Sequence, residues 1–381
     1  MIYLDFMAST PVDPRVASAM QRSLIDHVAN PHASHKGGRE ALEAVETAAS
    51  QVARAINVDA SEITFTSGAS EANNMALKGT AFAAGARGKH LVVSAIEHAC
   101  VLEAARWLED HGFEVTTVAA GPAGVVTVEN VLSAIRDDTI LVSVQLANNE
   151  IGTIQPVAEI ASHCRERGIV VHSDAAQAMG KIPVDASALG VDLLSMSAHK
   201  MYGPKGIGAL WVASDSPIRP TPLIHGGGQQ GGRRSGTVPT FLCVGFGVAA
   251  TQIAQSDFFQ KSTAARHAAL FVGLLRERLP NMKENASGSN KVPGCVSLRF
   301  PGAQAIDVLD QLQHDVAAST GSACSTGSPQ PSHVLTGIGL DHHEARETVR
   351  FGFGRTTTDR EIRQAAAFVV DAVHRARRLA A

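Results

Sequence analysis

A lysine, an aspartate, a glutamine and a histidine fall at the ends of successive apolar runs in this chain. The run Val191-Asp-Leu-Leu-Ser-Met-Ser197 leads into Ala198-His199-Lys200. Such a run reads as a buried strand, and a lysine just beyond it can reach a cleft at the carboxyl edge of a sheet. Lysine makes a reversible Schiff base with an aldehyde cofactor. A loop lysine by itself is usually solvated; this one has company upstream. Asp174 and Gln177 follow another apolar run, Gly168-Ile-Val-Val-His172, and Glu97-His98 follow His90-Leu-Val-Val-Ser94. Asp174 could pair with a protonated pyridine nitrogen, Gln177 could bond a ring hydroxyl, and His98 could stack on a ring and move protons. Taken singly, each has a plain alternative: a helix cap, a solvent-facing residue, one structural histidine among 16. Ser67-Gly-Ala69-Ser70 follows the strand candidate 62–66, and its small-residue turn would offer backbone N–H groups to a phosphate. Asn148-Asn149-Glu150 follows the run 139–144. Lys205 competes with Lys200, but Gly203-Pro-Lys-Gly206 reads as a turn.

The elements that must position these residues alternate. Strand-like segments at 62–66, 90–94, 113–118, 139–144, 168–172, 192–195 and 208–212 are separated by helical stretches such as 41–56 and 156–167. That alternation predicts an α/β fold with a large domain whose mainly parallel sheet is flanked by helices. One long helical segment is expected at 251–279. A smaller α+β unit then runs to the end, closed by a helix with a capping box, Thr358-x-x-Glu361, and one apolar face, Ile362, Ala366, Val369 and Val373. The expected division is residues 14–255 for the large domain and 256–381 for the small C-terminal one, joined by the segment 1–13.

Composition narrows the function classes. The 381 residues carry a net charge of −3, which argues against direct nucleic-acid binding. Aromatics make up only 4%, so aliphatic packing must build the core. The N-terminus lacks the pattern of a signal peptide, and no apolar run approaches a membrane span. Five scattered cysteines (100, 164, 243, 295 and 324), with no Cys-x-x-Cys pair, suggest neither disulfides nor a metal site. A reducing, cytoplasmic setting is expected. Cys324 differs from the other four: its surroundings, Ser319 to Ser332, are small and polar and read as an exposed loop, where a thiolate could act as a nucleophile. The other four sit in helical or apolar contexts and are expected to be small core hydrophobes.

Taken together, these motifs resemble those of the cysteine desulfurases of the NifS/IscS type, class V members of the fold-type I pyridoxal-phosphate enzymes. The likeness runs from Tyr3-Leu-Asp-Phe-Met-Ala-Ser-Thr-Pro11 through Phe65-Thr-Ser-Gly-Ala-Ser-Glu71, Asn148-Asn-Glu-Ile-Gly152, Asp174-Ala-Ala-Gln177, Ser197-Ala-His-Lys200 and Arg234-Ser-Gly-Thr237 to Ser322-Ala-Cys324 and Arg350-Phe351. The resemblance implies pyridoxal 5'-phosphate on Lys200, stacked by His98, with Asp174 at the ring nitrogen and Gln177 at the ring hydroxyl. It implies a phosphate held by Ala69, Ser70, Ser197 and His199, and by Thr237 of a neighbouring subunit, hence a homodimer. Asn149 and Arg350 would hold L-cysteine, Arg350 clamping its carboxylate with two prongs. Cys324 would take the sulfur as a persulfide, L-alanine would leave, and an acceptor protein would receive the sulfur, for iron–sulfur assembly or for tRNA or DNA modification. The chain stops short of the tail with which housekeeping members dock their scaffold, which leaves the acceptor open between a scaffold and a dedicated thiolation partner.

Three alternatives remain at this stage. One is a selenocysteine lyase or another class V reaction such as transamination, which would not need Cys324. The second is a hydrolase, suggested by His225-Gly-Gly-Gly228 but opposed by the lack of a Gly-x-Ser-x-Gly elbow. The third is a non-catalytic carrier, opposed by the presence of both Lys200 and Cys324.

Overall fold

The computed structural model describes residues 1–321 and 331–380. Its twelve strands, in chain order, begin with β1 (Ile2–Tyr3), β2 (Ile63–Thr66), β3 (His90–Ser94), β4 (Glu114–Val118), β5 (Thr139–Ser143) and β6 (Val170–Asp174). They continue with β7 (Leu193–Ser197), β8 (Gly208–Val212), β9 (Lys283–Glu284), β10 (Cys295–Arg299), β11 (Val316–Ala317) and β12 (Thr348–Gly352).

Seven of them form the central sheet, in the order β2-β8-β7-β6-β5-β3-β4. Only β8 runs against its neighbours, β2 and β7; the other pairings are parallel. The carboxyl ends of β2, β3, β5, β6 and β7 therefore share one edge. Successive residues of each strand feed opposite faces, as the two-residue period requires. Leu91, Val93, Leu193 and Leu210 join the core beneath helices Ala69–Ala83 and Ala99–Glu109. Val92, Leu194, Ala209 and Trp211 join the core on the other side, with helices Lys36–Ala55, Val157–Arg165 and Thr240–Ile253. A sheet buried on both faces explains the near-continuous apolar runs.

A second core gathers the smaller unit. The sheet β12-β10-β9 packs with helices Ala264–Arg278, Ala305–Leu312 and Asp359–Ala380 around Phe271, Phe300 and Phe351. The capping box at Thr358 and Glu361 forms, and Ile362, Ala366, Val369 and Val373 are all buried. Leu4 belongs to this core too, because β1 pairs in parallel with β11. The segment after β1 then crosses to the central sheet, where the Thr10 amide donates to the His199 carbonyl at 2.9 Å.

Two expectations are corrected. The long helix at 251–279 is two helices, Thr240–Ile253 and Ala264–Arg278, divided by a turn region at 254–263. Polar and exposed Ser256, Lys261 and Ser262 interrupt the apolar period there. The strand expected at 168–172 runs instead from Val170 to Asp174, so Asp174 ends the strand rather than following it. Ser173 can belong to the strand because its hydroxyl donates to the Val144 carbonyl at 2.8 Å. Among the described residues no helix is long and apolar enough to cross a membrane.

Candidate active site

The strand ends open onto one cavity of about 460 Å³, lined by Ala69, Ser70, His98, Asn149, Asp174 and Gln177, and by Ser197, His199, Lys200 and Arg350. All the expected site residues meet there except two. Thr237 lines a separate surface hollow with Ser23, His27 and Pro31. Cys324 lies outside the described residues.

The floor is made by the ends of β6 and β7. One turn of 3₁₀ helix, Ala198–Lys200, follows β7 and carries the lysine to the cavity. Its amine donates to the Met7 carbonyl at 2.7 Å and the Ala8 carbonyl at 2.9 Å. Gln177 also donates to the Met7 carbonyl, at 2.9 Å, while its Oε1 is buried with no partner among the described residues. Asp174 accepts from the Ala176 amide at 2.8 Å and from Asn73 Nδ2 at 2.6 Å. A buried carboxylate held by two donors keeps its orientation.

One end of the cavity is arranged for an anion. Helix Ala69–Ala83 starts here with Gly68 as its N-cap, and no side chain caps it, so its first amides stay available. The Gly208 Cα approaches this turn so closely that a Cβ would lie 2.6 Å from the Gly68 carbonyl carbon. Positive charge collects nearby. Burial, then the charges of Lys200, Lys181 and Lys205, push His199 down to about 4, so at neutral pH it acts as a neutral imidazole. Burial and the Lys200 charge likewise bring Lys181 down to about 7.

The facing wall comes from distant parts of the sequence. Arg350, on β12, is 2% exposed. Its Nη1 donates to the carbonyls of Asn149 (2.8 Å) and Gly321 (3.2 Å), and its Nη2 to Asp5 Oδ1 (2.9 Å) and Ser319 Oγ (2.7 Å). Only Nε, buried, lacks a partner among the described residues. The expected two-pronged clamp is therefore not preformed: the prongs hold Asp5, Ser319 and two backbone carbonyls. Glu150 braces the same wall. It accepts from Ser332 Oγ at 2.5 Å, and a Cβ on Gly321 would stand 2.2 Å from its Oε2. Burial raises the Glu150 carboxyl above its ordinary value, and it raises that of Glu97 well above.

Five contributors escape a reading of the sequence. Asp5 sits 345 positions from its partner Arg350. Met7 and Ala8 act through their carbonyls, which carry no side-chain signature. Asn73 lies on a helix, where nothing but the helical period placing it on the buried face could have marked it. Cys100, expected to be a core hydrophobe, instead lines the cavity, with Sγ 3.0 Å from His98 Nδ1. The expectation fails because Cys100 opens a helix at the strand-end edge, where the first turn faces the cavity. Cys164, Cys243 and Cys295 are buried as expected, and burial raises their thiols, those of Cys164 and Cys295 to about 12 and about 11.

Comparison with known proteins matches this arrangement. The family model for class V aminotransferases matches residues 2–364. The cysteine desulfurase IscS of Rickettsia akari (strain Hartford) is 43% identical over 99% of this chain and 92% of its own length. Among solved structures, a NifS-like protein superposes with a TM-score of 0.87 at 34% identity, covering 98% of each chain. A structure described as SspA in complex with cysteine gives 0.81 at 38% identity, covering 94% of this chain and all of that one. DndA from Streptomyces lividans gives 0.76 at 35% identity, covering 91% and 98%. The chain therefore belongs to the class V aminotransferase family and, within it, to the cysteine desulfurases.

Proposed function

We propose that the chain, holding pyridoxal 5'-phosphate, converts L-cysteine to L-alanine and passes the sulfur through a persulfide on Cys324 to an acceptor protein. The observation that carries this reading is the placement of Lys200, Asp174, Gln177 and His98 around one cavity, next to an uncapped helix N-terminus. The residues fit the cofactor. Buried Gln177 Oε1 awaits a hydroxyl donor, Asp174 offers a fixed carboxylate to a protonated ring nitrogen, and Ala69, Ser70, Ser197 and neutral His199 surround the phosphate end. When bound, the cofactor withdraws electrons from the amino acid's Cα and so weakens the bonds around it.

The side chains then divide the work. Lys200 holds the cofactor and, once substrate displaces it, takes the Cα proton. The Met7 and Ala8 carbonyls accept the protonated amine in the position seen here. Asn149 and Arg350 orient the substrate, its carboxylate approaching the remaining Nε–H of a guanidinium that four acceptors hold still. The Cys324 thiolate attacks the substrate sulfur; the Cβ–S bond breaks, Cys324 keeps the sulfur as a persulfide, and Cβ gains a proton by way of His98. Thr237, which stands outside this cavity, serves the phosphate in a second copy of the chain, so the working unit is a homodimer. The four described cysteines are all free thiols, consistent with a reducing cytoplasmic setting.

The test is to incubate the loaded protein with L-cysteine, measure L-alanine, and weigh the peptide bearing Cys324. Alanine together with one added sulfur on that peptide is expected. Alanine without sulfur on Cys324, or no alanine at all, would overturn the reading.

A further inference from the structure

We propose that Asn73 and Cys100 are positioning residues that link Asp174 to His98 and hold the His98 ring in a single tautomer. The inference rests on the reading that Asp174 and His98 serve the same cofactor ring. Asn73, on helix Ala69–Ala83, is fully buried. Its Nδ2 donates one hydrogen to Asp174 Oδ2 at 2.6 Å and lies 3.2 Å from Cys100 Sγ. The carboxylate fixes which way round the amide sits, since the opposite orientation would set Oδ1 against Asp174. A consequence is visible: Asn73 Oδ1 is buried with no partner among the described residues.

Direction then passes along the chain of contacts. Sγ receives a hydrogen from Asn73, so the thiol's own hydrogen points elsewhere, and His98 Nδ1 stands 3.0 Å away. The backbone amide of Cys100 donates to that same Nδ1 at 3.2 Å, with His98 acting as N-cap of helix Ala99–Glu109. A backbone N–H only donates, so Nδ1 is the accepting nitrogen and the neutral ring carries its proton on Nε2. Two donors converging on Nδ1 disfavour the other tautomer. Asp174, which takes the cofactor's ring nitrogen, and His98, which moves protons beside it, are thus joined by two side chains, buried Asn73 and Cys100 at the cavity's border.

The experiment compares Cys100→Ala, Cys100→Ser and Asn73→Ala with the wild type, all loaded with pyridoxal 5'-phosphate. Three quantities are read: kcat and KM for alanine release, cofactor affinity, and the ¹⁵N shifts of the His98 ring. Cys100→Ala is expected to lower kcat about tenfold with KM nearly unchanged, and Cys100→Ser, whose hydroxyl donates to the same nitrogen, to recover most of it. The His98 signals should show the Nε2–H tautomer in the wild type and in Cys100→Ser, and move toward a mixture in Cys100→Ala. Asn73→Ala should shift the same signals and weaken cofactor binding about tenfold. His98 signals unchanged in Cys100→Ala, or a serine variant as impaired as the alanine one, would overturn the proposal. A wild type that released no alanine would refute the desulfurase reading, yet the ring shifts would still decide this one.

Discussion

The two walls of the cavity are built on different plans. The floor rests on ends of a sheet buried on both faces, and each functional residue stands within a few positions of a strand: Asp174 ends β6, and Lys200 lies three residues past β7. The facing wall is assembled from pieces far apart in sequence, with Arg350 gripping Asp5, Ser319 and the carbonyls of Asn149 and Gly321. The floor draws its rigidity from strand pairing, whereas the facing wall draws it from one guanidinium with four acceptors. The first plan tolerates local change around a fixed scaffold; the second concentrates its geometry in a single side chain.

Substitutions can separate the two plans. The largest effect belongs to the floor. Lys200→Ala should bind cofactor without the Schiff-base absorbance and lose at least about 10³-fold in alanine release. Normal turnover in that variant would remove the lysine from its assigned role. Next comes the facing wall. A lysine ammonium has three donors and no planar fork, so Arg350→Lys should raise KM for L-cysteine about 10- to 100-fold while the cofactor spectrum stays normal. A changed spectrum would mean that the walls are not independent.

The smallest effect tests the sheet itself. His172, on β6, is buried between Ser143 Oγ (2.8 Å) and Ser195 Oγ (2.9 Å), and burial lowers it to about 4 against an opposing push from Asp174. The unfolded chain binds a proton at this histidine near its ordinary value, about 6.5, and the folded one only near 4. Its contribution to stability is present above pH 6.5 and is lost as pH falls toward 4. In urea unfolding at pH 7 and pH 4.5, His172→Gln should shrink the difference between the two by about 2–3 kcal/mol. An unchanged difference would show that the native state takes up the proton after all.

The floor was readable because its signals are local. An apolar run predicts the strand, and a polar residue at its end predicts the edge, so Lys200, Asp174, Gln177 and His98 could be placed together without coordinates. The facing wall was readable only in part. Arg350 and Asn149 stood out through resemblance, but no period or spacing ties Asp5 to a residue 345 positions later. Nor could the sequence show that Arg350's prongs are already bonded, because that depends on carbonyls at Asn149 and Gly321. Cys100 was misjudged for a related reason: a cysteine in a helix looks apolar until the first turn of that helix is seen to border the cavity.

The pairing of β1 with β11 bears on how the protein is made. A chain leaving the ribosome completes the central sheet once residues up to β8 have emerged. By then the Thr10 amide can reach the His199 carbonyl and Gln177 can reach the Met7 carbonyl, but Ile2 and Asp5 must wait until Val316 and Arg350 have been synthesised. Until that moment the wall that Arg350 forms with Asp5, Ser319 and the Asn149 carbonyl is missing. The pocket is therefore finished late: the sheet edge that carries Lys200 is complete well before the guanidinium that closes the facing wall.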